Sequence, residues 1–115
     1  MKIINATKGA LLADRAEVAD TFLKRLIGLL NRKSLDKGEA LILRPSNCIH
    51  SLFMRFSIDL LFLDASGKVV AALPSFKPFR FSPPYFQSIS VIELPEATIQ
   101  LTNTQPGDII QVTPN

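Results

Sequence analysis

The chain has 115 residues, 47% hydrophobic and 20% charged, with a net charge of +3 and a single cysteine. This suits one folded domain, residues 1–115, and excludes a disordered chain, an internal disulfide and, at so weak a positive charge, nucleic acid as an expected partner. No segment approaches the roughly 18 consecutive apolar residues of a membrane span, and the first residues lack a signal-peptide stretch, so a cytoplasmic protein without a membrane partner is expected.

"KIINAT" reads as a first strand, and Lys8-Gly9 as a turn. "ALLADRAEVA" returns as a second strand with Leu12, Asp14, Ala16 and Val18 on one face. Asp20 and Thr21 can cap a helix whose residues Phe22, Leu23, Leu26, Ile27, Leu29 and Leu30 fall at helical spacing, with Gly28 as a point of close packing. "ALILRPS" is a strand stopped by Pro45. "IHSLFMRF" reads as extended, and "IDLLFLD" and "VVAALPSF" form a hairpin around an Asp–Ala–Ser–Gly turn. From Leu73 to Ser88 four prolines alternate with five aromatics, which marks a loop or an irregular edge. "SISVIEL" is another strand. "PEATIQLTN" can open a two-turn helix with Pro95 at its first position, and "IIQV" closes the chain as a last strand. The expected fold is mainly β: a small antiparallel barrel or sandwich. One amphipathic helix packs on it, and a short second helix lies near the C-terminus.

Cys48 and His50 stand two residues apart, and as a strand Cys48, His50, Leu52, Met54 and Phe56 would share a face. A soft Cys-His-Met set can suit Cu(I), but no further Cys or His exists to close a shell, so no metal and no cofactor are expected. Cys48 and His50 can also be read as nucleophile and base, oriented by Asn47 or Asp59, against the simpler reading of a buried thiol beside a core histidine. Arg55 and Asp59 are ionic residues among apolar ones. Each needs a partner if buried: an ion pair between them, or backbone N–H groups for the Asp59 carboxylate. Asn5-Ala6-Thr7 fits the glycosylation pattern but lacks a secretory context.

Several segments resemble one family. "RLIGLLNRKSL" is similar to its "R-x-x-G-L-M-G-R-x-x-L", and "IHSLFMRFSIDLLFLDASGKVV" to its "I-H-T-F-F-M-R-F-P-I-D-V-V-F-L-D-x-x-G-x-V". "FKPFRFSPP", "VIELPEAT" and "QPGDII" resemble its "L-x-P-W-R-x-x-P", "V-L-E-L-P-x-G-T" and "K-P-G-D-x-V". The family is domain of unknown function 192. Ser57, Leu30-Asn31 and Glu96-Ala97 depart from it. The resemblance implies a single mainly β domain and no particular activity. Other relatives read "F-W-M-K-N-T" around the Met54 position, without the Cys and His, which counts against chemistry that requires Cys48 or His50.

Three functional classes follow. The first is a non-enzymatic binding module for a small anionic molecule, a glycan or a peptide. Its cleft would lie between the aromatic loop and the central strand, with Arg55, Asp59, His50, Phe79, Arg80 and Tyr85 as the ligand-binding set. The second is a thiol-dependent hydrolase using Cys48 and His50. The third is a structural or interaction protein, a monomer or weak homodimer, acting through a sheet edge.

Overall fold

A computed structural model describes residues 1–21, 24, 25, 29 and 32–115. Eight strands lie among them: β1 (Lys2–Asn5), β2 (Ala10–Ala13), β3 (Arg15–Ala19), β4 (Glu39–Leu43), β5 (Ile58–Leu63), β6 (Val69–Phe76), β7 (Ser90–Pro95) and β8 (Ile110–Thr113), with a short helix α1 (Thr98–Thr102). They form two open sheets, β2-β1-β8 and β3-β4-β7-β5-β6, so the fold is a two-layer one and not a closed barrel.

The segment expected as one second strand is two. Asp14 and Arg15 both turn their N–H groups to the Gly38 carbonyl (3.0 and 2.8 Å), and the chain changes sheets there. β2 pairs with β1, whereas β3 pairs with β4, in parallel. A parallel pair needs a long crossover, which residues 20–38 supply. The amphipathic helix expected over Phe22–Arg32 lies mostly outside the described residues. At its start Thr21 accepts the Lys24 N–H on its hydroxyl at 3.1 Å, the capping expected there.

All six residues of β5 are buried, and so are the first five of β7. Two covered faces explain why both strands read as apolar runs without alternation. On one face Ile42, Leu61, Leu63, Ile92 and Leu94 meet Ile3, Leu12 and Ile110 of the small sheet and Ile99 of α1. On the other face Leu43, Ile58, Leu60, Phe62 and Val91 meet Leu29, Leu35, Ile49 and Met54, with Phe56 and Tyr85 partly buried beside them. Among the described residues that second face is covered by connections and not by strands.

Asp59 belongs with Leu61 on the first face, opposite Ile58 and Leu60. Its carboxylate accepts the Ser75 N–H at 2.9 Å and the Ile99 N–H at 2.8 Å. Ser75 lies where the β5–β6 register shifts, in a left-handed conformation with φ 52°. Ala97, the residue before α1, offers no side-chain cap, so Asp59 caps the helix from a neighbouring strand. Of the two partners expected for Asp59, the backbone N–H groups are found and the Arg55 ion pair is not. Arg55 is exposed and Asp59 is wholly buried. Pro95 ends β7 instead of opening the helix. β6 spans the whole of the expected "VVAALPSF" strand and accommodates Pro74 because it is an edge strand, where a missing N–H costs little. Asn5 is fully buried and donates to Thr104 and Asp108, which closes it to glycosylation in the folded protein.

Candidate functional site

β4 and β5 both run antiparallel to β7 and so run in the same direction. Residues 44–57 must therefore travel the length of the sheet to join them. Residues 77–89 make the reverse journey, from the end of β6 beside Ile58 to the start of β7 beside Leu63. The two connections cross the same face in opposite directions and are bonded to each other. Tyr85 N–H donates to Asn47 O (2.8 Å), Ser82 N–H to Ile49 O (2.8 Å), Ser51 N–H to Arg80 O (2.9 Å) and Phe79 N–H to Ser51 O (2.9 Å). His50 and Phe81 form an antiparallel bridge. Two serine hydroxyls complete the stitching. Ser82 Oγ accepts the Ile49 N–H, while Ser51 Oγ accepts the Arg80 N–H and donates to the Lys77 carbonyl.

The result is an irregular two-stranded ribbon lying on the core. Ile49, Ser51 and Met54 face inward, and Tyr85 rests on Phe62 with ring centroids 4.6 Å apart. Cys48, His50, Phe53, Arg55, Phe79, Arg80, Phe81 and Phe86 face outward. The exposures of Phe53, Phe79, Phe81 and Phe86 are 74, 57, 72 and 84%, unusual for phenylalanine on a water-facing surface. Phe53 and Phe79 meet edge to face at 5.8 Å, and His50 lies 6.3 Å from Phe81. Phe53 and Phe79 both hold left-handed backbones, φ 66° and 61°, a cost the surrounding hydrogen bonds sustain. Arg44, Arg55, Lys77 and Arg80 lie in these two connections, which contain no aspartate or glutamate.

The sequence-based sites are rearranged accordingly. Cys48 and His50 do share a side, but it is the outer one, so the buried-thiol reading is overturned. The turn at Leu52–Phe53 breaks the alternation and sends Met54 inward, which separates it from Cys48 and His50. No hydrogen bond joins Cys48 to His50 among the described residues, and Asp59 is committed on the opposite face of the sheet, so a triad does not assemble. No cluster of three or more metal-ligating acidic, Cys or His residues occurs among the described residues. The expected cleft takes another form. Tyr85 is part of the core contact, whereas Phe79 and Arg80 lie open on the surface. A shallow depression at one end of the ribbon is lined by Pro45, Ser46, Asn47, Ser88 and Ile89, and by none of the residues expected to bind a ligand.

One buried titratable group is not among the predicted residues. Glu93 lies in the middle of β7 between Leu41 of β4 and Leu60 of β5, on the face under the connections. It is 4% exposed, and its Oε2 has no hydrogen-bond partner among the described residues. Burial pushes its carboxyl up to about 8, so the group is chiefly neutral near pH 7. The signal in the sequence is a lone carboxylate among Val91, Ile92 and Leu94. Asp108 behaves differently. Burial pushes it up, but bonds from Asn5 and the Gln105 N–H, with Lys8 nearby, outweigh that and hold it below its ordinary value.

Among the described residues no helix is long and apolar enough to cross a membrane. In solved structures the chain is similar to a protein of unknown function from Novosphingobium aromaticivorans, with a TM-score of 0.85 and 19% identity over 97% of this chain and 84% of that one. It is also similar to a putative transcription regulator from Sinorhizobium meliloti, with a TM-score of 0.79 and 19% identity over 96% and 89%. At such identities the likeness establishes the fold alone. In sequence it is 38% identical to a UPF0127 protein of Thermococcus sibiricus, over 94% of this chain and 72% of that one. It is 35% identical to a UPF0127 protein of Pyrococcus furiosus, over 95% and 96%. The family model for domain of unknown function 192, described as "Uncharacterized ACR", matches residues 3–112, and the chain belongs to this uncharacterised family.

Proposed function

We propose that the protein is a non-enzymatic binding module and that the outer side of the ribbon is its recognition surface for an anionic ligand. One observation carries the reading. Four phenylalanines are held in the open on two cross-bonded connections that contain only cationic charged residues. Exposed aromatic surface of this kind favours a partner, and guanidinium forks suit carboxylate, sulfate or phosphate groups. The rigidity of the stitching lowers the ordering cost on binding. Arg55, Lys77 and Arg80 supply the charge, and Phe53, Phe79, Phe81 and His50 supply the contact area. Asp59 and Tyr85 hold the architecture and do not touch the ligand.

The test uses heparin oligosaccharide and polyglutamate as soluble polyanion probes, titrated calorimetrically at low salt. The wild type is expected to bind at least one of them. A variant with Arg55→Ala, Lys77→Ala and Arg80→Ala is expected to bind about tenfold more weakly or worse, with an unchanged urea midpoint, because all three side chains are exposed. Equal affinity of wild type and variant overturns the reading, and so does the absence of binding to every polyanion, soluble or surface-bound.

A further inference from the structure

We infer that the anionic partner of the ribbon is the surface of a lipid bilayer, an inference that rests on the reading of the ribbon as the recognition surface. The geometry of the phenylalanines carries it. Along the ribbon Phe86 follows Tyr85, which is bonded to Asn47. Phe81 stands opposite His50, and Phe79 is bonded to Ser51 and meets Phe53. From Asn47 to Phe53 these contacts make a stripe along the outer side of the ribbon.

The depression at Pro45 and Ile89 includes none of these rings, which instead stand open to solvent with exposures of 57 to 84%. A peptide or a small molecule gains most from concave walls that bury several of its sides. A row of protruding rings without polar tips suits a flat, deformable apolar medium. The cations suit the same partner. Arg55, Lys77 and Arg80 share the segments with the rings, and no carboxylate in either segment would repel an anionic headgroup. Long basic side chains can remain at headgroup depth while neighbouring rings enter the acyl boundary. The sequence-based expectation of no membrane partner followed from the absence of a spanning segment, and a peripheral contact needs none.

The experiment is co-sedimentation of the full chain with phosphatidylcholine vesicles, with and without a large fraction of phosphatidylglycerol. A Phe86→Trp variant serves as reporter, since the protein has no tryptophan of its own. Binding is expected to the anionic vesicles and not to the neutral ones, with a blue shift of the reporter's indole emission as the ring leaves water. Phe53→Ser with Phe79→Ser, and separately Arg55→Gln with Arg80→Gln, are each expected to lower the partition coefficient by about tenfold or more. A urea midpoint close to wild type for each variant confirms that it is folded. No sedimentation with anionic vesicles overturns the inference. So does sedimentation without a blue shift or without dependence on Phe53 and Phe79, which would be charge adsorption alone. If vesicles fail while the soluble polyanions still bind through Arg55, Lys77 and Arg80, the partner is a soluble acidic chain and only the bilayer inference falls. If both fail, the reading of the ribbon falls with it.

Discussion

Two buried carboxylates show how burial alone does not decide what an acidic residue does. Asp59 receives two backbone N–H groups and so remains a satisfied part of the frame. Asp59→Ala leaves the Ser75 and Ile99 donors without their acceptor and should cost roughly 1–3 kcal/mol for each. Asp59→Asn should cost less, because its amide carbonyl still accepts one of them. Urea unfolding of the three proteins measures the order, and an Asp59→Ala midpoint equal to wild type would contradict it. Glu93 is the opposite case. Its folded value is raised to about 8 from 4.5, so its stabilising effect is complete below about pH 4.5. That contribution is then lost as pH rises through about 8, at a slope of up to about 1.4 kcal/mol per pH unit within that window. Glu93→Gln should remove this slope and unfold later than wild type at pH 8–9. Midpoints measured from about pH 4.5 to 9 check it, and parallel profiles of the two proteins over that range would contradict it. Asp59 is legible in the sequence because it interrupts a motif that already draws scrutiny. Glu93 meets the same criterion of a lone charge among apolar residues, but no cationic neighbour draws notice to it.

At the scale of elements, the hairpin β5–β6 was legible because two apolar runs flank an Asp–Ala–Ser–Gly turn. Asp64 Oδ1 accepts the N–H groups of Ser66 and Lys68, which is local turn chemistry. The break at Asp14 was not legible, because the alternation of "ALLADRAEVA" continues through it. Only the distant Gly38 carbonyl reveals the change of sheet. The ribbon was half legible. Its prolines marked Leu73–Ser88 as irregular, but "IHSLFMRF" was expected to be extended, and the positive φ of Phe53 is a tertiary imposition that no local signal announces. Ser51 shows the dependence of this element on single side chains. Ser51→Ala leaves the Arg80 N–H without its hydroxyl acceptor and the Lys77 carbonyl without its donor. Faster amide exchange at Arg80 and a loss of roughly 1–3 kcal/mol are expected. Unchanged exchange there would show that the stitching does not hold the ribbon. Gly67 joins the hairpin to β8, since its carbonyl accepts the Ile110 N–H at 2.8 Å. A Cβ there would lie 2.7 Å from the Ile110 carbonyl oxygen, at a φ of +84°. Gly67→Ala should therefore lower stability by more than about 1 kcal/mol, measured by thermal or urea unfolding.

Across the whole molecule, the two faces of the five-stranded sheet carry different duties. One is sealed by the small sheet and α1, where Ile3, Leu61 and Leu94 are fully buried. The other is sealed by connections, and connections can present on their outer side what a strand face would have to bury. The class of fold was legible from strand and turn signals. The sequence already set the aromatic loop against the segment holding His50 and Arg55, but the open, cross-bonded form of that surface was not legible, because it depends on the two connections running antiparallel across one face, a consequence of strand order. The proposed binding function rests on that surface, so the most direct measurement is an amide-resolved NMR titration of the protein with heparin oligosaccharide. The account predicts shifts concentrated in residues 48–55 and 77–86, with the amides of β1, β8 and α1 unmoved. Shifts concentrated on the small sheet or α1, or none in the ribbon at saturating probe, would contradict it.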